Sequence, residues 1–450
     1  MKRFLMLTLA ALMLLGLSSF AFAQDAPSET AVVAKGQTKI EIGGEIRFRG
    51  EARHNTDYQL EDDSLGDVGL SGKTDDHINY FDTRVRLNVS AKVSDNVKGF
   101  VELETGDNTH DTFTWGGTGA AATGIYGVGN AKGSEMTLRQ AWINYEKNGY
   151  GLTVGHQLLA LGNSLFYDHT KYGDDAVLLY AAPTKTAMVG LLGIKHSEGD
   201  TKKEDDATAY VLLGSYKGSN WDVSGDITYV DFQQPTALGL ALDYIHLVNF
   251  GLRGSVDVKP VKIRGDVELQ TGKAKTEDKT VDLDVKGSAG LLGFDATLGP
   301  AVVTLEGAIG SGMKEDEDSL DAFVTSLGAD PHYTYAYEYR VKSACDGMKG
   351  SGLCNTGYIK LGVKGDLIPK TLDGMLNIYW LTATEEVSLN GGEKSDELGA
   401  EIDAKVAYKF AKNLQYFVEG GYMFTGSAYD YANASADNAY MVRHGIVLKF

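Results

Sequence analysis

Apolar and polar residues alternate with a period of two through most of this 450-residue chain. In IEIGGEIRFRGEAR, Ile40, Ile42, Gly44, Ile46, Phe48, Gly50 and Ala52 fall on one face. Glu41, Glu45, Arg47, Arg49, Glu51 and Arg53 fall on the other. FDTRVRLNVSAKV sets Thr83, Val85, Leu87, Val89 and Ala91 against Asp82, Arg84, Arg86, Asn88, Ser90 and Lys92. Such alternation marks a strand between two different environments. A helix needs apolar spacings of three and four, and these segments lack them. The chain ends YMVRHGIVLKF, with Tyr440, Val442, His444, Ile446, Leu448 and Phe450 on one side and Met441, Arg443, Gly445, Val447 and Lys449 on the other. Chain ends in soluble domains are usually poorly tied down. A strand that runs to the last residue is suited to closing a sheet on itself.

The pattern predicts eighteen strands, near 38–53, 80–93, 98–105, 136–147, 150–156, 175–182, 185–195, 207–217, 220–231, 243–258, 261–271, 281–298, 301–310, 356–368, 374–386, 397–410, 413–425 and 438–450. The apolar and polar faces are hardest to separate in 175–195. Short connections (94–96, 148–149, 183–184, 218–219, 259–260, 299–300, 369–373 and 411–413) alternate with long polar ones such as 54–79, 106–135, 157–174 and 311–355. Within the last, PHYTYAYEYRV (331–341) alternates and reads as an extra hairpin arm or a plug. Short and long connections in alternation are the mark of a transmembrane β-barrel, with tight periplasmic turns and long extracellular loops.

Composition sharpens this. The chain has 55 glycines, 7 prolines and 24 tyrosines, which suits a large antiparallel β structure with tight turns. Residues 1–23, MKRFLMLTLAALMLLGLSSFAFA, read as a signal peptide: basic Lys2 and Arg3, an apolar run, then a small-residue site at Ala21–Ala23. Residues 24–37 then form a short periplasmic segment, and 38–450 the barrel. The net charge of −19 excludes nucleic-acid binding. No later segment has 18 consecutive apolar residues, so strands, not helices, must cross any membrane. Cys345 and Cys354 flank a glycine-rich stretch and, in an oxidising compartment, are expected to form a disulfide.

A closed barrel pairs every backbone group inside the protein, as lipid demands, and leaves no edge. The expected fold is therefore all-β: a transmembrane antiparallel barrel of about 18 strands (16–18). Aromatic residues near the strand ends, including Tyr80, Tyr145, Tyr150, Tyr216, Trp221, Tyr379, Trp380, Tyr408 and Phe410, are expected to form interfacial belts. A soluble β-sandwich or propeller would also alternate, but no propeller repeat is present.

A barrel of this size is wide enough for a water-filled channel, whose lumen charges govern what passes. Arg47 and Arg49 on the first strand and Arg84 and Arg86 on the second are expected to project inward and attract anions. Glu102 and Glu104 on the third should face the same lumen, giving opposed basic and acidic walls; otherwise these groups neutralise one another and only support the wall. The loop 157–174 carries Leu158, Leu159, Leu161 and Phe166, out of place in solvent, so it either folds into the lumen or packs on a neighbouring loop. Acidic runs at 61–63, 204–206 and 315–318 read as solvated outer loops, with divalent cations bridging lipopolysaccharide as the alternative. His54, His77, His110, His156 and His169 lie near the outer mouth without metal-binding spacing, so no metal or other cofactor is expected. Neither G-x-S-x-G nor a P-loop occurs, and the expectation is a non-enzyme.

The signal peptide, the alternating chain and the terminal Phe450 resemble Gram-negative outer-membrane proteins. In that class the last strand and its terminal aromatic resemble the signal read by the barrel-assembly machinery, which makes Phe450 an assembly signal by resemblance; His444 departs from the usual apolar residue. More closely, LRQAWINYEKNGYGLTVGHQ (138–157), YDHTKYGDDAVLLYA (167–181) and ELGAEIDAKVAYKFAKNLQYFVEGGYMFTG (397–426) resemble porins of delta-proteobacteria, the last also alginate-export-type barrels. The resemblance implies an outer-membrane location among lipid and lipopolysaccharide and a passive channel for ions and small hydrophilic solutes. Alternatives are a selective channel for anionic solutes or saccharides, the sleeve of an electron-transfer complex with a cytochrome partner, and an adhesive barrel with a plugged lumen. Monomer and homotrimer both stay open.

Overall fold

In the computed structural model, the residues described are 31–35, 38–56, 78–106, 112–114, 136–199, 205–233, 236–237, 240–276, 282–314, 319–325, 333–345, 347 and 350–450. The expected signal peptide, most of the expected segment 24–37, the acidic runs 61–63 and 315–318, Glu204, His77 and His110 lie outside them.

Eighteen long strands form the barrel: β1 Thr38–His54, β2 Ile78–Lys92, β3 Val97–Thr105, β4 Met136–Lys147, β5 Tyr150–Gln157, β6 Asp174–Thr184, β7 Ala187–Ser197, β8 Ala207–Lys217, β9 Trp221–Gln233, β10 Leu240–Val258, β11 Val261–Thr276, β12 Ser288–Leu298, β13 Ala301–Gly310, β14 Thr356–Ile368, β15 Leu372–Val387, β16 Ser395–Ala411, β17 Leu414–Thr425 and β18 Ala439–Lys449. Each pairs antiparallel with the next, and β18 returns to β1 from Glu45↔Lys449 to His54↔Tyr440. The closure extends to the last residue, where Phe450 and Gly44 exchange two backbone hydrogen bonds of 2.8 and 3.1 Å. Short strands add locally; Ala31–Lys35 folds back on the start of β1.

The period-two pattern sorts the side chains. Leu179, Leu191, Leu252, Leu269, Leu305 and Ile359 are exposed on the outer face. Their sequence neighbours point into the barrel, where Glu51, Asp82, Glu268 and Glu401 are buried. Polar groups bury there because each meets a partner, which offsets the cost of desolvation. His444 interrupts the outer apolar set, and its Nδ1 lies 3.1 Å from the Tyr416 hydroxyl. Two expected belt aromatics instead face the lumen: Tyr80 lies opposite Glu51, and Tyr379 is buried with its hydroxyl on the Tyr333 carbonyl at 2.7 Å. The strand period forces this, since their neighbours Phe81 and Trp380 already face outward.

Two connections fold inward. The first, residues 158–173, buries Leu159, Leu161, Leu165, Phe166 and Tyr167 in one apolar cluster with Ala176, Leu178, Leu192, Ile194, Val211, Leu213, Val230 and Leu247 of β6 to β10. This explains why the two faces of 175–195 look alike in sequence: the lumen face is apolar where the loop covers it. The loop turns at Gly162 and Ser164, both with positive φ, and a Cβ at residue 162 would sit 2.3 Å from Arg253 Nε. Asn163 reaches across to β11, donating from its backbone and side-chain nitrogens to Asp266 Oδ2 at 3.0 Å each. The second connection, described at 333–345, 347 and 350–355, is not the hairpin arm that its alternation suggested. It makes a short helical turn at Tyr337–Arg340. The Cys345–Cys354 disulfide closes its distal part, with Cα atoms 5.4 Å apart.

Candidate functional site

The arginines named above converge. Arg47, Arg49, Arg84 and Arg86 line one cavity of about 280 Å³, together with Arg139 from β4, Arg443 from β18, Thr170 and Lys171 from the first inward loop, and Phe417 and Glu419 from β17. The barrel closure makes this possible, because β18 places Arg443 beside β1.

Strand register sets the spacing. Arg47 lies directly opposite Arg84, a like-charge cross-strand pair that sheets normally avoid. Around it the cations take carboxylates from adjacent strands. Arg49 Nε donates to Asp82 at 3.0 Å and Arg84 Nε to Glu45 at 3.1 Å. Arg86 pairs with Glu104, Arg139 with Glu102 and Arg443 with Glu419. The guanidinium of Arg139 also donates to the Thr170 carbonyl at 2.7 Å, which anchors the inward loop at the rim of the cavity.

Glu102 and Glu104 therefore do not make an opposed acidic wall. They sit on β3, side by side with the arginines of β2 and β4, because strands consecutive in sequence are neighbours in the barrel. Pairing does not remove the basic character of the cavity: its lining holds six arginines and one lysine against the single carboxylate of Glu419. A guanidinium carries five N–H donors and a carboxylate engages two at most in bidentate contact. Arg49 and Arg86 thus remain donors toward the cavity while holding Asp82 and Glu104.

The second inward segment reaches two residues of the cavity lining, Glu419 and Arg443. Tyr335 donates from its hydroxyl to Glu419 at 3.2 Å, and its ring centre lies 5.4 Å from the Arg443 guanidinium carbon. Arg340 pairs with Glu51 of β1 at 2.7 Å. Glu401 of β16 accepts the backbone N–H groups of Tyr335, Ala336 and Tyr337 at 3.0, 2.6 and 2.7 Å, fixing the start of the helical turn. Glu338, on that turn, is fully buried, and burial pushes its carboxyl up to about 8.

Arg139, Arg443, Lys171 and Glu419 complete the site but were not singled out from sequence. For Arg443 the signal was present: it lies in the inward set of the last strand. Lys171 and Thr170 are placed by loop folding, which strand alternation does not encode.

No known sequence family and no curated protein matches this chain. Its fold is that of OccK/Opd outer-membrane porins of Pseudomonas aeruginosa. It is similar to OpdQ with a TM-score of 0.56 at 11% identity, covering 91% of this chain and 98% of that one. OccK5 (OpdH) matches with 0.55 at 12% identity over the same shares, 91% and 98%. OpdK, whose structure was determined with vanillate, matches with 0.55 at 10% identity, again over 91% and 98%. At such identity the likeness is one of fold: a closed 18-stranded antiparallel β-barrel.

Proposed function

We propose that this chain is an outer-membrane porin, a water-filled channel for passive diffusion of ions and small hydrophilic solutes, selective for anions. The observation that carries the selectivity is the cavity lined by seven cations and one carboxylate. An anion entering it meets fixed donors that stay charged at any working pH. In a narrow, low-dielectric lumen such charges act more strongly than in bulk water. The fold supports the outer-membrane location, and the exposed apolar outer face is the surface that would meet lipid. Lipopolysaccharide contact, recognition of the Phe450 strand by the assembly machinery and a homotrimeric state belong to the same proposal, as does the kinship of 138–157, 167–181 and 397–426 with delta-proteobacterial porins.

A narrower reading has its own support. Phe417 lies beside the arginines, so an aromatic surface and guanidinium donors face one cavity. That chemistry suits small organic carboxylates, and vanillate, seen with OpdK, is an aromatic carboxylate. Recording single channels of the refolded barrel in a planar bilayer tests both readings. Steady conductance steps are expected, with block by benzoate at lower concentration than by the uncharged benzyl alcohol. A folded barrel that passes no current would end the porin reading; equal block by acid and alcohol would end the narrower one.

A further inference from the structure

Outside the arginine cavity, three groups meet where the first inward loop rejoins the wall. His169 ends the apolar part of that loop, Asp174 opens β6, and His196 lies near the end of β7. Both histidines place Nδ1 on the same carboxylate oxygen, Asp174 Oδ1, at 2.8 Å and 3.0 Å. All three side chains are nearly closed to solvent, at 8%, 4% and 4% exposure in chain order. The second oxygen of Asp174 accepts the Tyr167 hydroxyl at 2.7 Å, and the Tyr167 ring stacks on His169 with centres 4.5 Å apart. The cluster is therefore built: one carboxylate is oriented by a tyrosine, and two imidazoles are held against it from two other elements.

We propose that His169, Asp174 and His196 form a binding site for a divalent transition metal of the zinc class. Two imidazole nitrogens and one carboxylate oxygen are the donor set that zinc and its neighbours prefer, with open positions for water. Metal–ligand bonds of about 2.0–2.1 Å put adjacent donors about 2.9–3.4 Å apart around one ion. The two histidine–aspartate separations lie at or just under the lower end of that range, so an ion enters with shifts of a few tenths of an ångström at those contacts. The three ligand atoms lie within 4.8 Å of one another. His196 Nε2 is buried and makes no hydrogen bond; with Nδ1 on the ion, Nε2 is the ring nitrogen that carries the proton.

Sequence spacing hides the site: His169 and His196 are 27 positions apart on a loop and a strand, and only the β6–β7 pairing brings them together. A bound ion would tie the inward loop to the barrel wall, since one ligand comes from the loop and two from strands.

The test uses untagged, refolded barrel freed of metal with a chelator, titrated with Co²⁺ and followed by visible absorption, with Zn²⁺ competition and equilibrium dialysis for stoichiometry. One equivalent is expected, with ligand-field bands that Zn²⁺ abolishes. His196→Gln and Asp174→Asn are each expected to weaken binding at least tenfold, whereas His156→Gln, which removes a half-buried histidine bonded to Asp175, is expected to leave it unchanged. Heat-modifiable gel migration shows that each variant is folded; if His196→Gln fails that check, His169→Gln carries the test. Wild-type binding no tighter than that of His169→Gln/His196→Gln, or binding lost in His156→Gln, would overturn the proposal and leave the cluster a proton-shared clamp.

Discussion

Two parts of the lumen wall use the same residue type to opposite ends. On β1, β2, β4 and β18 six arginines face a cavity; five of them pair with a carboxylate from an adjacent strand, and Arg47 and Arg84 oppose each other directly. On β10, Arg253 is surrounded by Asp226 of β9 and Asp266 and Glu268 of β11, and its side chain is 4% exposed. There the guanidinium holds acids together under the tip of the inward loop. The difference is one of stoichiometry and access. One cation among three buried acids is used up as structure, while cations in excess at a cavity keep donors for a passing solute. Arginine content alone therefore says little about a pore; which face it lies on and how many acids reach it decide its role.

Breaking the enclosed cluster has the largest expected effect. Arg253→Met leaves three carboxylates without their cation and is expected to cost about 3–5 kcal/mol in urea unfolding, with the reversal potential of surviving barrels little changed. Phe166→Ala opens the apolar seat of the first inward loop. A loss of about 3 kcal/mol in loop docking is expected, read as larger single-channel conductance and as new protease cleavage within 158–173. Cys345→Ser/Cys354→Ser removes a local crosslink from the second inward segment and is expected to cost about 2–3 kcal/mol of its order, again without altering ion preference. On the arginine wall the sign reverses. Arg47→Gln/Arg84→Gln/Arg443→Gln is expected to reduce the anion-to-cation permeability ratio about tenfold, ~1.4 kcal/mol, while stability changes less than for Arg253→Met.

A pH dependence of the second segment is expected as well. Glu338 titrates near 8 when docked, chiefly because of burial, with the charge of Glu401 adding to the rise and the Gly352 N–H opposing it. In a released segment its carboxyl returns toward 4.5. Between those values the docked state holds the extra proton. Docking is thus strongest below pH 4.5 and weakens as pH rises through 8. Protease cleavage within 333–355 should increase across that window, and Glu338→Gln should flatten the profile.

Much of the fold was legible because a membrane barrel imposes a strict period of two over every strand, and Phe450, Arg47 and Arg84 follow from that count alone. The pairing of β18 with β1 was legible too, since a strand that ends the chain needs a partner. What was not legible depends on contacts between distant elements. Nothing local in the sequence says that Thr170 and Lys171 reach the arginine cavity, that Glu401 caps a helical turn drawn from residues more than sixty positions earlier, or that His169 meets His196. Glu102 and Glu104 were assigned the right face but the wrong relation to the arginines, because opposition across a lumen requires knowing which strands are far apart. The stretch 175–195 was ambiguous for a physical reason: its lumen face is packed against an apolar loop and so resembles its lipid face.

The most direct test of an arginine-governed channel is the reversal potential of the refolded wild-type barrel in a planar bilayer under a tenfold potassium chloride gradient, set beside Arg47→Gln/Arg84→Gln/Arg443→Gln. Wild type is expected to reverse on the anion-selective side and the variant close to zero. A cation-selective wild type, or a variant with an unchanged potential, would contradict it and move selectivity to the carboxylates of the lumen or to the outer loops.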